Sequence, residues 1–285
     1  MSAPQSYPAE LSGIIEGMPD HVYHRRPEWS KHKLDDLAVN PAFMLWRMSN
    51  PFVPTDEMRF GSLVDMALFE PDRFEAETVV IPADAPKRPA ERSVNAANPK
   101  RETLQAIAWW KEFDNRHPGA EQLTQDEARR INAILDRIYS HKTASRLIGG
   151  AGRAQASMFW TDPVTGLRMR GRPDYLHPED ILVDLKKVRS VNARDFRWQV
   201  RDLRYDVQLA LYGDAYQQIT GRKIREHAWI AFESEDPFHV VTYRAPEDML
   251  ERGRTLYRRD IDTLAECLRT NTWPSYSEEL LTLEA

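Results

Sequence analysis

Three charged residues in the middle of the chain could do chemistry together: Asp174, Asp184 and Lys186. The stretch GRPDYLHPEDILVDLKKV, residues 171 to 188, reads as a β-hairpin with turn chemistry at His177-Pro178-Glu179-Asp180. Side chains alternate along a strand, so Asp184 and Lys186 share one face while Leu185 points to the other. Asp174, near the end of the facing strand, can reach the same spot. Burying two carboxylates and an ammonium is costly unless they are paired or bind a metal. Convergent carboxylates suit Mg²⁺, a hard cation that prefers oxygen ligands and keeps waters for a phosphate substrate. The lysine supplies a point charge that can orient a water or stabilise charge developing on a phosphate. The bland alternative is a hairpin with an exposed Asp–Lys ion pair, and the short motif alone leaves the two readings level.

The elements that must position these residues follow from periodicity. After Gly152 the pattern has period two, which predicts strands at about 153–161, 167–176 and 181–188. A helix over about 205–219, strands near 227–233 and 238–244, and a helix over about 246–270 complete the second half. The first half is helical. Asn40-Pro41 breaks one helical stretch, and Phe60, Leu63, Val64, Ala67 and Leu68 repeat at helical spacing up to Pro71. Thr124-Gln125-Asp126-Glu127 reads as a capping box opening a long helix that closes at Gly149-Gly150. Residues 82–101, rich in Pro, Ala, Asn and charge, read as a mobile basic loop. The expectation is an α/β (α+β) chain of one domain over residues 1–285. In it a helical part at about 25–150 packs with a sheet-containing catalytic core at about 151–275, a central mixed sheet flanked by helices.

Composition sets limits. The chain has 285 residues, 41% hydrophobic and 10% aromatic, enough for a sizeable core. No apolar run is long enough to span a membrane, and MSAPQSYPAELSG lacks the basic-then-apolar order of a leader, so a cytoplasmic protein is expected. With Cys267 as its one cysteine the chain can form no internal disulfide and no cysteine-held zinc or iron–sulfur site. No GxxxxGK[S/T] loop is present, which argues against ATP-driven work. A net charge of −5 argues against a generally basic coat, but Lys186 to Arg204 carries seven Lys/Arg against two Asp, with Phe196 and Trp198 among them. That run could track a phosphate backbone, with Lys187, Arg189 and Arg197 as its contacts. A solvated helix face is the plain alternative.

Within YDVQLALYGDAY, Gln208 and Tyr212 fall at i and i+4 on one helix face, with Tyr205 close to the same stripe. Pro173-Asp174, Asp184-x-Lys186 and Gln208-x-x-x-Tyr212 together resemble the PD-(D/E)xK nuclease core of the RecB type. GSLVDMALFEPDRF, TGLRMRGRPDYL, ILVDLKKV, YDVQLALY and the C-terminal WPSY bring the match to the RecE (exonuclease VIII)-like family, over roughly residues 25 to 277. The resemblance implies a restriction-endonuclease-like fold and Mg²⁺-dependent, ATP-independent digestion of double-stranded DNA ends, usually 5′ to 3′, in phage-type recombination. Mn²⁺ is the alternative ion. It also implies a single-strand annealing recombinase as partner and a homo-oligomeric ring. Carried over by residue, Asp174 and Asp184 would be metal ligands, with the Leu185 carbonyl as an extra one, and Lys186 the catalytic lysine. Gln208 and Tyr212 would brace the site or touch DNA, and Arg172 could touch phosphate. Asp65 stands where the family typically has a histidine, and Gln155 where it has a glutamate. A carboxylate at 65 could restore the charge lost at 155 and complete the ligand set. Two rival readings remain: a DNA-binding or assembly subunit that kept the fold without the chemistry, and a structure-specific endonuclease.

Overall fold

In the computed structural model, residues 7–280 and 282 are described; the first six residues of the N-terminal stretch considered above lie outside them. Two compact units divide the chain, Met1–Thr55 with Arg137–Ala285, and Asp56–Asp136. In chain order the first unit begins with β1 (Gly13–Ile15), α1 (Asp20–Arg25), α2 (Lys31–Val39) and α3 (Pro41–Ser49). The second holds α4 (Asp56–Phe69), α5 (Pro71–Glu77), β2 (Thr78–Val80), α6 (Glu91–Val94), α7 (Arg101–Arg116) and β3 (Glu121–Leu123). Helix α8 (Gln125–Ser140) carries the chain back, and α9 (Lys142–Leu147) follows. The first unit then adds β4 (Arg153–Ala154), β5 (Ser157–Thr161), β6 (Arg168–Gly171), β7 (Tyr175–His177) and β8 (Ile181–Val188). Its last elements are α10 (Ala193–Asp202), α11 (Tyr205–Thr220), β9 (Glu226–Glu233), β10 (Val240–Arg244) and α12 (Glu247–Thr270).

Local chemistry explains several boundaries. Asn40 does more than break a helix: its side chain accepts a hydrogen bond from the Phe43 amide at 2.8 Å, and Pro41 occupies the first turn of α3. The capping box closes as expected. The Glu127 amide donates to Thr124 Oγ1 at 3.1 Å, and Thr124 donates its own amide to Glu127 Oε2 at 2.8 Å. The helix it opens ends at Ser140, and a separate helix, capped by His141, runs on to Leu147. In the second unit the expected mobile segment contains α6. Arg88 pairs with Asp114 at 3.0 Å and lies over the Trp110 ring, whose indole donates to the Pro86 carbonyl.

In the first unit a five-stranded sheet has the order β10-β9-β8-β7-β4, and a three-stranded sheet the order β1-β5-β6. Strands β8 and β9 are parallel, and the other pairs in the larger sheet are antiparallel. A parallel pair needs a crossover, which α10 and α11 supply. The expected strand over 167–176 divides in two: β6 joins the smaller sheet and β7 the larger. Arg172-Pro173-Asp174 forms the junction, and Pro173 cannot donate to a ladder there. The core gathers Leu182, Trp229 and Ala231 from the sheet, Leu209, Ala210 and Tyr212 from α11, and Leu250, Ile261 and Leu264 from α12. Leu34, Leu37 and Met44 of α2 and α3 join it. Each leucine, isoleucine or methionine among them contributes about 1.5–3 kcal/mol by leaving water. Among the described residues no helix is long and apolar enough to cross a membrane.

Candidate active site

The hairpin register brings the two aspartates together. Tyr175 pairs with Val183 and Leu176 with Leu182, so the ladder continued by one step sets Asp174 opposite Asp184. Asp174 is fixed from both ends. Its carbonyl accepts the Gln155 amide at 3.0 Å, and its Oδ2 accepts the Leu185 amide at 2.7 Å. Gln155 therefore meets Asp174 through its backbone, in a turn between β4 and β5 rather than on a strand. It holds a left-handed φ of 47°, a conformation costing a non-glycine residue about 1–2 kcal/mol and concentrated at functional sites.

Asp184 is wholly buried, and Lys186 follows it on the same face of β8. Lys186 Nζ lies 2.6 Å from Asp184 Oδ2. Gln208 of α11 joins the two: its Nε2 donates to Asp184 Oδ1 at 2.7 Å, and its Oε1 accepts from Lys186 Nζ at 3.2 Å. The Tyr205 ring lies 4.6 Å from the same ammonium, in cation–π contact. Burial works against the charged lysine, but the Asp184 and Asp174 carboxylates outweigh it and hold its pKa above the usual value. Lys186 is thus a fixed cation, not a base. Its side chain keeps 15% of its surface.

Tyr212 completes the face one turn on from Gln208. The ring packs so closely on Gly171 that a Cβ there would lie 2.6 Å from it, and the Arg172 backbone hydrogen-bonds its hydroxyl. At 4% exposure Tyr212 braces the strand junction and is not a surface for DNA. Arg172, expected at a phosphate, is also turned inward. It donates to Ser157 Oγ and the Met18 carbonyl, pairs with Asp20, and lies over the Tyr23 ring. Lys187 points to the face opposite Asp184 and Lys186, whereas Arg189 and Arg197 are exposed. Phe196 is core, stacked on Tyr243 at 4.8 Å, and of the two aromatics in the basic run only Trp198 faces solvent.

Sequence reasoning missed the groups that hold α11 in place. Lys31 of α2, 4% exposed, donates to the Leu203 carbonyl at 3.0 Å and pairs with Asp35 at 2.7 Å. Arg204, in the left-handed region at φ 56°, pairs with Asp35 and Asp260 at the entrance to α11. These contacts fix the turn from which Tyr205 and Gln208 project. No local pattern marks them, because the partners lie up to 172 residues apart.

The donor set suits a hard divalent ion. Asp174 and Asp184 offer carboxylate oxygens. Because the Leu185 amide points to Asp174, its carbonyl faces the same side of the strand. The buried Asp184 Oδ2 has no neutral hydrogen-bond donor and faces only the Lys186 ammonium. Among the described residues no group of three or more His, Cys, Asp or Glu is placed to hold a metal. Asp65 lies on α4 in the second unit, and its share in a ligand set is carried by the resemblance alone. Replacing Gln208 by alanine is expected to lower the rate at this site about 10- to 100-fold while duplex affinity holds, as for residues that orient ligands. Steady-state cleavage and equilibrium binding check it, and equal losses in both would make Gln208 a substrate contact.

Residues 44–284 match the family described as "PDDEXK-like domain of unknown function (DUF3799)". A comparison with curated proteins finds no sequence match. Among solved structures, the "Putative exonuclease" of Eubacterium rectale is similar at a TM-score of 0.59 and 15% identity, over 94% of this chain and 96% of that one. At that identity the likeness speaks for the fold. An alkaline exonuclease from Laribacter hongkongensis matches at a TM-score of 0.28 and 13% identity, over 69% and 93% of the two chains. A phage related exonuclease from Haemophilus somnus 129PT matches at 0.33 and 10%, over 66% and 91%.

Proposed function

Since the chain belongs to the PDDEXK-like family of that description, we propose that it is a deoxyribonuclease that hydrolyses phosphodiester bonds with a divalent metal ion, Mg²⁺ or Mn²⁺, and without ATP. One observation carries the reading: the half-buried Lys186 pairs with the wholly buried Asp184, the two are tied together by Gln208, and Asp174 lies beside them. So much charge in a core is costly, and a purely structural role would be served as well by apolar residues.

Asp174, Asp184 and the Leu185 carbonyl would hold the ion, which when bound supplies Lewis-acid charge and lowers the pKa of its water. Lys186 places its ammonium where a phosphate oxygen gains charge as the water oxygen bonds to phosphorus and the P–O ester bond breaks. Gln208 and Tyr205 keep that ammonium from turning away. Exposed Arg189 and Arg197 would contact the backbone, positioning DNA without reading bases. The RecE-like resemblance supports duplex ends as the substrate, 5′ to 3′ polarity, a role in recombination beside an annealing recombinase, and a ring-shaped oligomer.

The rival reading, a DNA-binding subunit without cleavage, draws on Gln155, an amide where a carboxylate ligand is usual. Linear and closed-circular duplex DNA, each with Mg²⁺ or with EDTA and no ATP, separate the readings. Metal-dependent loss of the linear form alone is expected. Cutting of the circle would make the protein an endonuclease, and binding without cutting would favour the rival.

A further inference from the structure

Helix α10 is amphipathic. Phe196 and Val200 are buried, while Arg197, Trp198 and Arg201 face away from the core. Beside it α12 presents Asp248, Met249 and Arg252, and between the two helices lies a cleft of about 440 Å³. Trp198 is 55% exposed, and neither Arg197 nor Arg201 has an ion-pair partner among the described residues. Three arginines face one carboxylate across a largely apolar floor. The cleft is tied to the site already described. Arg252 pairs with the buried Asp206, which adjoins Tyr205 and lies two residues before Gln208 on α11.

We propose that this cleft binds single-stranded DNA, with a base stacked on Trp198 and phosphates on Arg197 and Arg201. An aromatic ring with arginines around it suits an unpaired strand, because every base has a π-face to stack and every nucleotide a phosphate to pair. Duplex DNA fits poorly, since its base faces are already covered by their neighbours. The inference rests on the nuclease reading and extends it. Digesting one strand from a duplex end leaves the other strand unpaired, and a cleft joined to the site through Asp206 can retain that strand.

Binding of a fluorescently labelled oligothymidylate in EDTA tests this without cleavage. Trp198→Ala is expected to weaken binding on the order of tenfold, and Trp198→Phe, which keeps a stacking ring, to stay within a few-fold of wild type. Replacing both Arg197 and Arg201 by alanine should reduce the slope of log K against log salt by roughly 1.4. No binding by wild type, or equal binding by all variants, would overturn the proposal. So would a change in sedimentation of Trp198→Ala with unchanged oligothymidylate affinity, which would make the cleft a protein interface. Mg²⁺-dependent cleavage by wild type is read separately. Cleavage with unaltered single-strand binding in the variants sinks only the cleft. Loss of that binding with no cleavage in wild type sinks only the nuclease reading.

Discussion

Lys186→Ala is expected to lower DNA cleavage by about 10²- to 10³-fold or more while duplex affinity stays within a few-fold of wild type. The ammonium is caged by Asp184 Oδ2 at 2.6 Å, Gln208 Oε1 at 3.2 Å and the Tyr205 ring. Of its three donors, two are directed at these oxygens, leaving one for a phosphate or a water. Lys186→Arg should not restore the rate, since a planar guanidinium cannot replace a compact ammonium in that cage. The pH dependence follows from sign. Because Asp184 and Asp174 outweigh burial and raise the folded pKa, the charge and the stability it contributes are fully present below the unfolded lysine value of about 10.4. Both are lost only as pH rises through the still higher folded value. The pH–rate profile should therefore show no falling limb from this lysine below about pH 10. A limb near pH 8 that disappears in Lys186→Arg would mean the lysine acts as a titrating group. Loss of DNA affinity equal to the loss of rate would make its role structural.

Asp184→Ala is expected to abolish cleavage and to destabilise the fold by about 3–5 kcal/mol. The residue has no exposed surface, accepts Gln208 Nε2 at 2.7 Å and is the nearest counter-charge to Lys186. Truncation leaves an ammonium in a low-dielectric site with less to balance it, and a half-buried Gln208 donor unmet. Asp184→Asn should separate the two effects. It keeps the shape and can still accept from Gln208, so stability falls less, but the charge for a divalent ion is gone and cleavage stays lost. Urea unfolding and steady-state cleavage on the same preparations check both. Wild-type stability in Asp184→Ala, or wild-type cleavage in Asp184→Asn, would contradict the account.

What the sequence makes legible here is what lies close along the chain. The Asp184-x-Lys186 spacing sets both groups on one strand face, and a tight turn at residues 177–180 brings Asp174 back beside them. The i, i+4 period likewise puts Gln208 and Tyr212 on one helix face. Contacts between distant segments are another matter. The hold of Lys31 on Leu203 and of Arg204 on Asp35 and Asp260 depends on how α2 and α12 pack beside α11, which no local pattern reveals. The same holds for direction. Arg172 and Phe196 lie in basic or strand-like runs that could face solvent, yet Ser157, Asp20 and Tyr23 draw the arginine inward, and Tyr243 and Trp229 enclose the phenylalanine. The strand over 167–176 is continuous as a pattern but divides between two sheets, because Pro173 lacks the donor a ladder needs. Residues up to Thr55 pack with the sheet-containing unit, and Asp56–Asp136 forms a second one, a division that helical periodicity does not mark.

The central claim is that Asp174 and Asp184 form a metal-dependent cutting centre. Degradation of linear duplex DNA by wild type and by Asp174→Asn, followed across one Mg²⁺ titration with an EDTA control, tests it most directly. The expected result is metal-dependent loss of DNA with wild type, none in EDTA, and none with Asp174→Asn at any Mg²⁺ concentration although it still binds the duplex. Cleavage by Asp174→Asn at the wild-type rate, or by wild type in EDTA, would contradict it.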